Sequence, residues 1–180
     1  MADWNPNDIK KQFKSAKNDG WIAYFEQAGK DYKFPTAILM AVASRETNMQ
    51  NKMGDRGRGY GLMQIDDRSF PDWCHSGLWK DANASIQKGA LVLDDKREMI
   101  RNGQGKKLKV KISRKEITFT GKDDLSAAEL LRTAIAAYNR GMKAYYALSV
   151  FDDPDKYTAH NDYSADTLAR ADLFKTLLGA

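Results

Sequence analysis

The sequence predicts a mostly helical α+β fold, and three observations carry that prediction. Apolar residues recur three and four positions apart over most of the 180 residues, as they do on the buried faces of helices. Between Gly54 and Gly61 that spacing stops, because Gly54, Gly57, Gly59 and Gly61 are too many glycines for a helix interior and suit tight turns and short strands. From Gly103 to Gly121 the period changes again, this time to two. A chain of this length can bury a single core, so one domain spanning 1–180 is expected.

The elements follow in order. Residues 5–18 read as a surface helix with Ile9, Phe13 and Ala16 inward and Lys10, Lys11, Lys14 and Lys17 solvated. A second helix over 21–32 turns Ile22, Phe25 and Ala28 inward and ends before Pro35. Pro35 suits the first turn of a third helix, whose Ile38, Leu39, Val42 and Ala43 share one face. Residues 68–81 read as irregular and aromatic, with Trp73 or Trp79 expected near a cleft. A helix over 82–101 places Ile86, Ala90, Leu93 and Ile100 inward.

In 103–121, Leu108, Val110, Ile112, Ile117 and Phe119 alternate with Lys107, Lys109, Lys111, Glu116, Thr118 and Thr120, the pattern of a half-buried β-hairpin turning near Ser113-Arg114-Lys115. Ser126 and Glu129 form a capping box that opens a strongly periodic helix, expected to be central, carrying Ala127, Leu130, Leu131, Ala134, Ile135 and Tyr138. A short helix over 141–151 and a last one over 164–178, with Leu168, Ala171 and Leu178 inward, complete the chain.

Glu46 is the residue that suggests chemistry. It continues the apolar face of the third helix into the last turn, where backbone carbonyls concentrate partial negative charge. Burial and the helix end both disfavour ionisation, so a protonated carboxyl that donates to a substrate is expected. The glycine-rich stretch that follows supplies Asp55 and Asp66, and an acid plus a second carboxylate is the minimum equipment for glycoside hydrolysis. A bland alternative stands beside this: a Glu in a last helical turn is often solvated or paired, and Arg45 and Arg56 are close in sequence.

Ser44-Arg45-Glu46, Gly54-Asp55-Arg56-Gly57 and Tyr60-Gly61-Leu62-Met63-Gln64-Ile65-Asp66 resemble, in order and spacing, the core of the goose-type lysozymes. Ala137-Tyr138-Asn139, His160-Asn161-Asp162-Tyr163 and Ala169-Arg170-Ala171 are similar to later segments of that family. The resemblance covers most of 24–180 and implies a lysozyme-like fold with a small glycine-rich sheet at the cleft, into which the 103–121 hairpin is an insertion. It implies a peptidoglycan hydrolase that cuts the β-1,4 bond between N-acetylmuramic acid and N-acetylglucosamine, with Glu46 as general acid and Asp55 and Asp66 holding and activating the water. Tyr60, Gln64, Tyr138, Asn139, His160 and Tyr163 would bind or support the substrate. An inverting mechanism follows, with no metal or organic cofactor and the acid and base carboxyls roughly 6.5–9.5 Å apart. Arg140 stands where the family usually has a small residue, which bears on an adjoining subsite. The related lytic transglycosylases, which form 1,6-anhydro ends, share the Glu, Gly-Leu-Met-Gln and Ala-Tyr-Asn elements but generally lack the aspartates, so Asp55 and Asp66 favour hydrolysis. A wall- or polyanion-binding protein without activity is the alternative from another class.

Composition sets further bounds. The mean hydropathy of -0.64 and the absence of a long apolar run exclude a helical membrane span. Cys74 is the single cysteine, so no internal disulfide forms, and a packed thiol is expected there; since animal secreted members of the family it resembles often carry disulfides, the resemblance implies a bacterial or phage source. No basic-then-apolar segment opens the sequence, so no signal peptide is read, and action on the wall outside the cytoplasm requires processing, phage release or injection. The net charge of +5 suits a polyanionic wall and equally suits simple solubility. Expected partners are peptidoglycan glycan strands, with a proteinaceous inhibitor as a further candidate; no nucleic acid is expected, and the protein reads as a monomer. The basic face of the hairpin suits a polyanion or, as the commoner explanation, a charged edge that prevents aggregation.

Overall fold

The computed structural model describes residues 4–179, which form two compact units. One is built from the described residues of 3–91 and 167–180, the other from Val92–Asp166. The fold is mostly helical with two small antiparallel sheets, as the patterning predicts.

In the first unit, α1 (Pro6–Asn18) starts from Asn5, whose side chain accepts the N–H groups of Asn7 and Asp8 while Asp8 accepts the Asn5 N–H. Helix α2 (Trp21–Tyr32) ends at Lys33 in the left-handed region, and Pro35 caps α3 (Thr36–Thr47) from just outside it. Every residue of α3 from Ala37 to Ser44 is buried, so this helix has no solvated face. The expected one-sided stripe of Ile38, Leu39, Val42 and Ala43 is corrected accordingly: Ala37, Ala41 and Ser44 are small enough to admit neighbours on the remaining sides.

The glycine-rich stretch forms a three-stranded antiparallel sheet of β1 (Met53–Gly54), β2 (Gly59–Tyr60) and β3 (Ile65–Asp66), with a 3-10 turn over Asp55–Gly57. The segment read as irregular contains a short helix, α4 (Pro71–His75), and a 3-10 turn over Leu78–Lys80. Cys74 within it is 1% exposed, and burial raises its thiol pKa, so it is packing rather than a nucleophile. Helix α5 (Ala82–Gly103) buries Ile86, Ala90, Leu93 and Ile100 as expected.

In the second unit, β4 (Lys107–Ile112) pairs with β5 (Lys115–Thr120) in the register Val110↔Ile117, leaving the two-residue turn Ser113-Arg114, both at positive φ. This is the primed turn that matches strand twist. The hairpin packs its apolar face on α7 (Met142–Phe151), with Phe119 edge-on to Tyr145 and Tyr146. Helix α6 (Ala127–Arg140) opens with the Ser126–Glu129 capping box, which with Lys122 holds the Glu129 carboxyl down at about 2. It buries Thr133 to Ala137, whereas Ala127 is exposed and Leu130 and Leu131 are half-buried, so the fully enclosed helix of the chain is α3 rather than α6. Helix α8 (Tyr163–Leu178) begins in this unit. No helix among the described residues is long and apolar enough to cross a membrane.

Candidate active site

Glu46 occupies the last turn of α3 and is half-buried. Its surroundings are fixed by its neighbours on the helix. Thr47, 2% exposed, donates its hydroxyl toward the carbonyls of Ala43 (3.0 Å) and Leu62 (2.9 Å), tying the helix end to the Gly61–Ile65 turn. Ser44 accepts a hydrogen bond at Oγ from Arg170 Nη1 (2.8 Å), and its carbonyl takes a second (3.3 Å). Arg170 is itself 4% exposed and lies over the Trp4 ring at 5.1 Å. Two motifs separated by 126 residues therefore meet beneath the helix end that carries Glu46.

The sheet after α3 is held by Gln64. At φ 50 this residue has a backbone that side chains rarely adopt. Its Nε2 donates to the carbonyls of Lys52 (3.0 Å) and Gly61 (2.9 Å), and its amide lies across the paired residues Gly54 and Gly59. A β-carbon at either glycine would run into Gln64 Oε1. Those glycines thus make room for a side chain of the protein itself, and Gln64 supports the site by fixing its backbone. From α5, Ser85 Oγ accepts the Leu62 N–H at 2.8 Å, pinning the same turn from the other side.

Asp66 lies at the end of β3, half-buried, and takes a forked pair of hydrogen bonds from Arg68: Nε to Oδ1 at 2.9 Å and Nη2 to Oδ2 at 2.8 Å. That guanidinium, helped by the Arg68 N–H and by Arg58, holds the Asp66 carboxyl below its ordinary pKa despite partial burial. Asp55 is exposed, sits at φ 45, and is near enough to Arg68 for its charge to act there together with those of Asp66 and Asp67. Asp66 is thus bound directly by Arg68, whereas Asp55 acts on that cation only through its charge. Tyr60 is buried at 9% exposure and stands edge-on to Trp79 (5.6 Å between centroids) and His75 (6.3 Å). Trp79, one of the two tryptophans singled out, thus joins the sheet that carries the aspartates.

The remaining named residues belong to the second unit. Tyr138 and Asn139, near the end of α6, are half-buried. Asn139 Oδ1 accepts the Ala159 N–H at 3.0 Å and so holds the 3-10 turn Ala159–Asn161 that presents His160, exposed and at φ 60. Tyr163, 2% exposed, donates its N–H to Thr158 Oγ1 at 3.2 Å. Beneath this loop lies a residue the sequence did not single out. Asp155, 1% exposed, accepts from Ser164 N (2.8 Å), Ser164 Oγ (2.6 Å), Ala165 N (3.1 Å) and Thr158 Oγ1 (3.1 Å). A serine in the first turn of α8 with an aspartate nine residues earlier is the only sequence trace of that clamp.

Backbone strain marks the same places. Of the twelve non-glycine residues at positive φ among the described residues, seven fall at Asn48, Met49, Asp55, Arg56, Gln64, His160 and Asn161, all within or directly beside the candidate site segments. Such conformations persist where surrounding contacts over-determine them, and they cluster at functional sites.

Comparison with known proteins identifies the family. The family described as Lysozyme g matches residues 15–177. The chain is 27% identical to Lysozyme g of Takifugu rubripes, over 98% of this chain and 85% of that protein. It is 33% identical to Lysozyme g of Gallus gallus, over 77% of this chain and 56% of the relative, so it matches little more than half of that longer protein. Lysozyme G of Dromaius novaehollandiae is 27% identical over 87% of this chain and 67% of its own length.

Proposed function

Because the chain belongs to the lysozyme g family, we propose that it is a glycoside hydrolase of peptidoglycan that cleaves the β-1,4 bond between N-acetylmuramic acid and N-acetylglucosamine with inversion. The observation that carries this reading is a half-buried Glu46 in the last turn of α3, followed by a small sheet whose Asp66 carboxylate is fixed by Arg68.

Glu46, protonated, gives its proton to the glycosidic oxygen as the bond from that oxygen to the anomeric carbon breaks. A water on the opposite face of the sugar adds to that carbon and gives up a proton to a carboxylate. Asp55, exposed and outside the Arg68 fork, takes that proton. Asp66, held as an anion by Arg68, orients the water and opposes the positive charge that develops on the sugar. Asn139 acts through the turn that carries His160, the half-buried Tyr138 supplies contact surface for the glycan, and the buried Tyr60 and Tyr163 support the site by packing. The site of action is the wall outside the cytoplasm, and the 103–121 hairpin is an addition to the family's pattern.

One observation favours a second reading. A carboxylate with a depressed pKa is a weaker base, so Asp66 alone would not drive water attack, and a lytic transglycosylase needs no such base. Mass spectrometry of muropeptides released from purified walls separates the two: reducing ends support hydrolysis, and 1,6-anhydro ends overturn it. Walls left uncleaved by the wild-type protein would remove both.

A further inference from the structure

The net charge of +5 is concentrated in one place. Residues 106–122 hold seven of the 29 lysines and arginines and one of the 24 acidic residues, Glu116, leaving 22 cations against 23 anions in the rest of the chain. The hairpin register sorts these side chains. Leu108, Val110, Ile117 and Phe119 share the face packed on α7, while Lys107, Lys109, Lys111, Thr118 and Thr120 lie on the other, exposed face. Lys109 is paired with Glu116 at 2.7 Å, and Lys122 with Glu129 and Asp152. Lys106, Lys107, Lys111, Arg114 and Lys115 are exposed, and none of them makes an ion pair among the described residues.

Neither ordinary explanation of surface charge accounts for this. Protection of a sheet edge is served by single charges or a proline, and solubility is served by mixed signs. Lys107, Lys109 and Lys111 on the outer face, with Lys106, Arg114 and Lys115 at the ends of the ribbon, stand against the single acidic residue Glu116 in a chain otherwise close to neutral, and form a local positive field. Alternate residues of a strand are about 6.6–6.8 Å apart, so Lys107, Lys109 and Lys111 make a row of about 13 Å, matched to a linear polyanion rather than to a point charge.

We propose that the outer face of the β4–β5 hairpin binds the phosphodiester-linked polyol chains carried by bacterial walls, and thereby retains the protein on its substrate. This rests on the wall-hydrolase reading only for where the protein works. The exposed face carries ammonium groups and threonine hydroxyls, the donors that phosphate and polyol oxygens accept. It carries no aromatic ring on which a base could stack: Phe119 is 6% exposed and turned onto Tyr145 and Tyr146. Phosphate chains without bases are therefore the better occupant than single-stranded nucleic acid.

The test is co-sedimentation of the whole protein with walls that carry polyol-phosphate polymers and with the same walls stripped of them by hydrofluoric acid. A cation near an anionic surface contributes roughly fivefold in binding, so intact walls should retain the wild type at least about tenfold better at low salt, with the difference fading as salt rises. Replacing Lys107, Lys109 and Lys111 by Gln should abolish the difference, and replacing the same three by Arg should keep it. Hydrolysis of soluble, polymer-free glycan should be unchanged in both variants. Equal retention on intact and stripped walls, or full retention by the Gln variant, overturns the proposal. So does tighter binding of duplex DNA than of polyol phosphate at matched phosphate concentration. A retention difference in a protein that cuts no glycan would uphold the surface while removing the hydrolase reading.

Discussion

Replacing Asp155 by Asn exchanges one carboxylate oxygen for an NH2 group and tests how the His160–Tyr163 loop is held. The carboxylate is 1% exposed and accepts four hydrogen bonds, two at each oxygen, with Arg132 Nη2 a further 3.5 Å from Oδ2. An amide can keep the pair from Ser164 N and Thr158 Oγ1 only as bonds to a neutral acceptor, which are weaker by about 1 kcal/mol each. Its NH2 then faces the Ala165 N–H and Arg132, leaving a buried donor unsatisfied at roughly 1–3 kcal/mol. The sum is about 3–5 kcal/mol, and the melting temperature of a chain this size should fall by about 10 °C. The pH dependence supplies the stricter check. Burial works to raise the Asp155 pKa, but Ser164, Ala165 and Thr158 outweigh it, and the folded value lies below the ordinary one. A depressed carboxyl contributes stability that is complete above the unfolded value of about 3.9 and lost as pH falls through the folded value. Urea titrations of wild type and Asp155→Asn should thus differ fully between about pH 5 and 7 and converge in stronger acid. A difference below about 1 kcal/mol at neutral pH, or one that persists unchanged in acid, would refute the clamp.

Three further outcomes are expected. Glu46→Gln should lower turnover on purified walls by at least about 100-fold, because an amide cannot donate to the leaving oxygen; a mild effect removes Glu46 as the acid. Asp66→Asn should cost at least as much as Asp55→Asn in the same assay, since it also releases Arg68, and near-normal rates for both would favour the transglycosylase. In the hairpin, Ser113→Asn with Arg114→Gly should raise stability by about 0.5–1 kcal/mol in thermal melts, because both positions are left-handed and the new pair prefers that turn; an unchanged melting temperature would mean the turn costs nothing as it stands.

What could be read from the sequence was whatever depends on near neighbours. The α6 capping box, the inward residues of α5 and the hairpin register all follow from spacings of a few residues, and the structure places them as expected. Burial of charge could not be read this way. Arg170 and Asp155 look like surface residues because their partners lie far along the chain or in a loop without periodicity, Ser44 being 126 residues from Arg170. The enclosure of α3 was hidden for a different reason: alanine and serine are compatible with either side of a stripe. Gly54 and Gly59 read from the sequence only as residues for turns and short strands, whereas a side chain five residues beyond Gly59 fills the space above them. The positions of Glu46, Asp55 and Asp66 came from motif order, and local pattern alone left the role of each open.

The Asp66–Arg68 pair illustrates how magnitude separates structural from functional roles. Both side chains are substantially exposed, 38% for Asp66 and 60% for Arg68. An ion pair so placed contributes roughly 0–1 kcal/mol, too little to explain a forked geometry on its own as a source of stability. What surrounds it is far more costly to disturb: the buried Thr47 hydroxyl on the Leu62 carbonyl, the Ser85 hydroxyl under the Leu62 N–H, and the Gln64 amide spanning two carbonyls. These bonds fix the backbone from 61 to 66, and with it the point where Asp66 leaves the sheet. A weak, solvent-facing pair at the end of a rigid run is an orienting device, since a guanidinium fork aligns a carboxylate at little energetic gain. The stability is spent in the turn, and what it fixes is the direction of an ionised oxygen, which is what the role proposed for Asp66 requires.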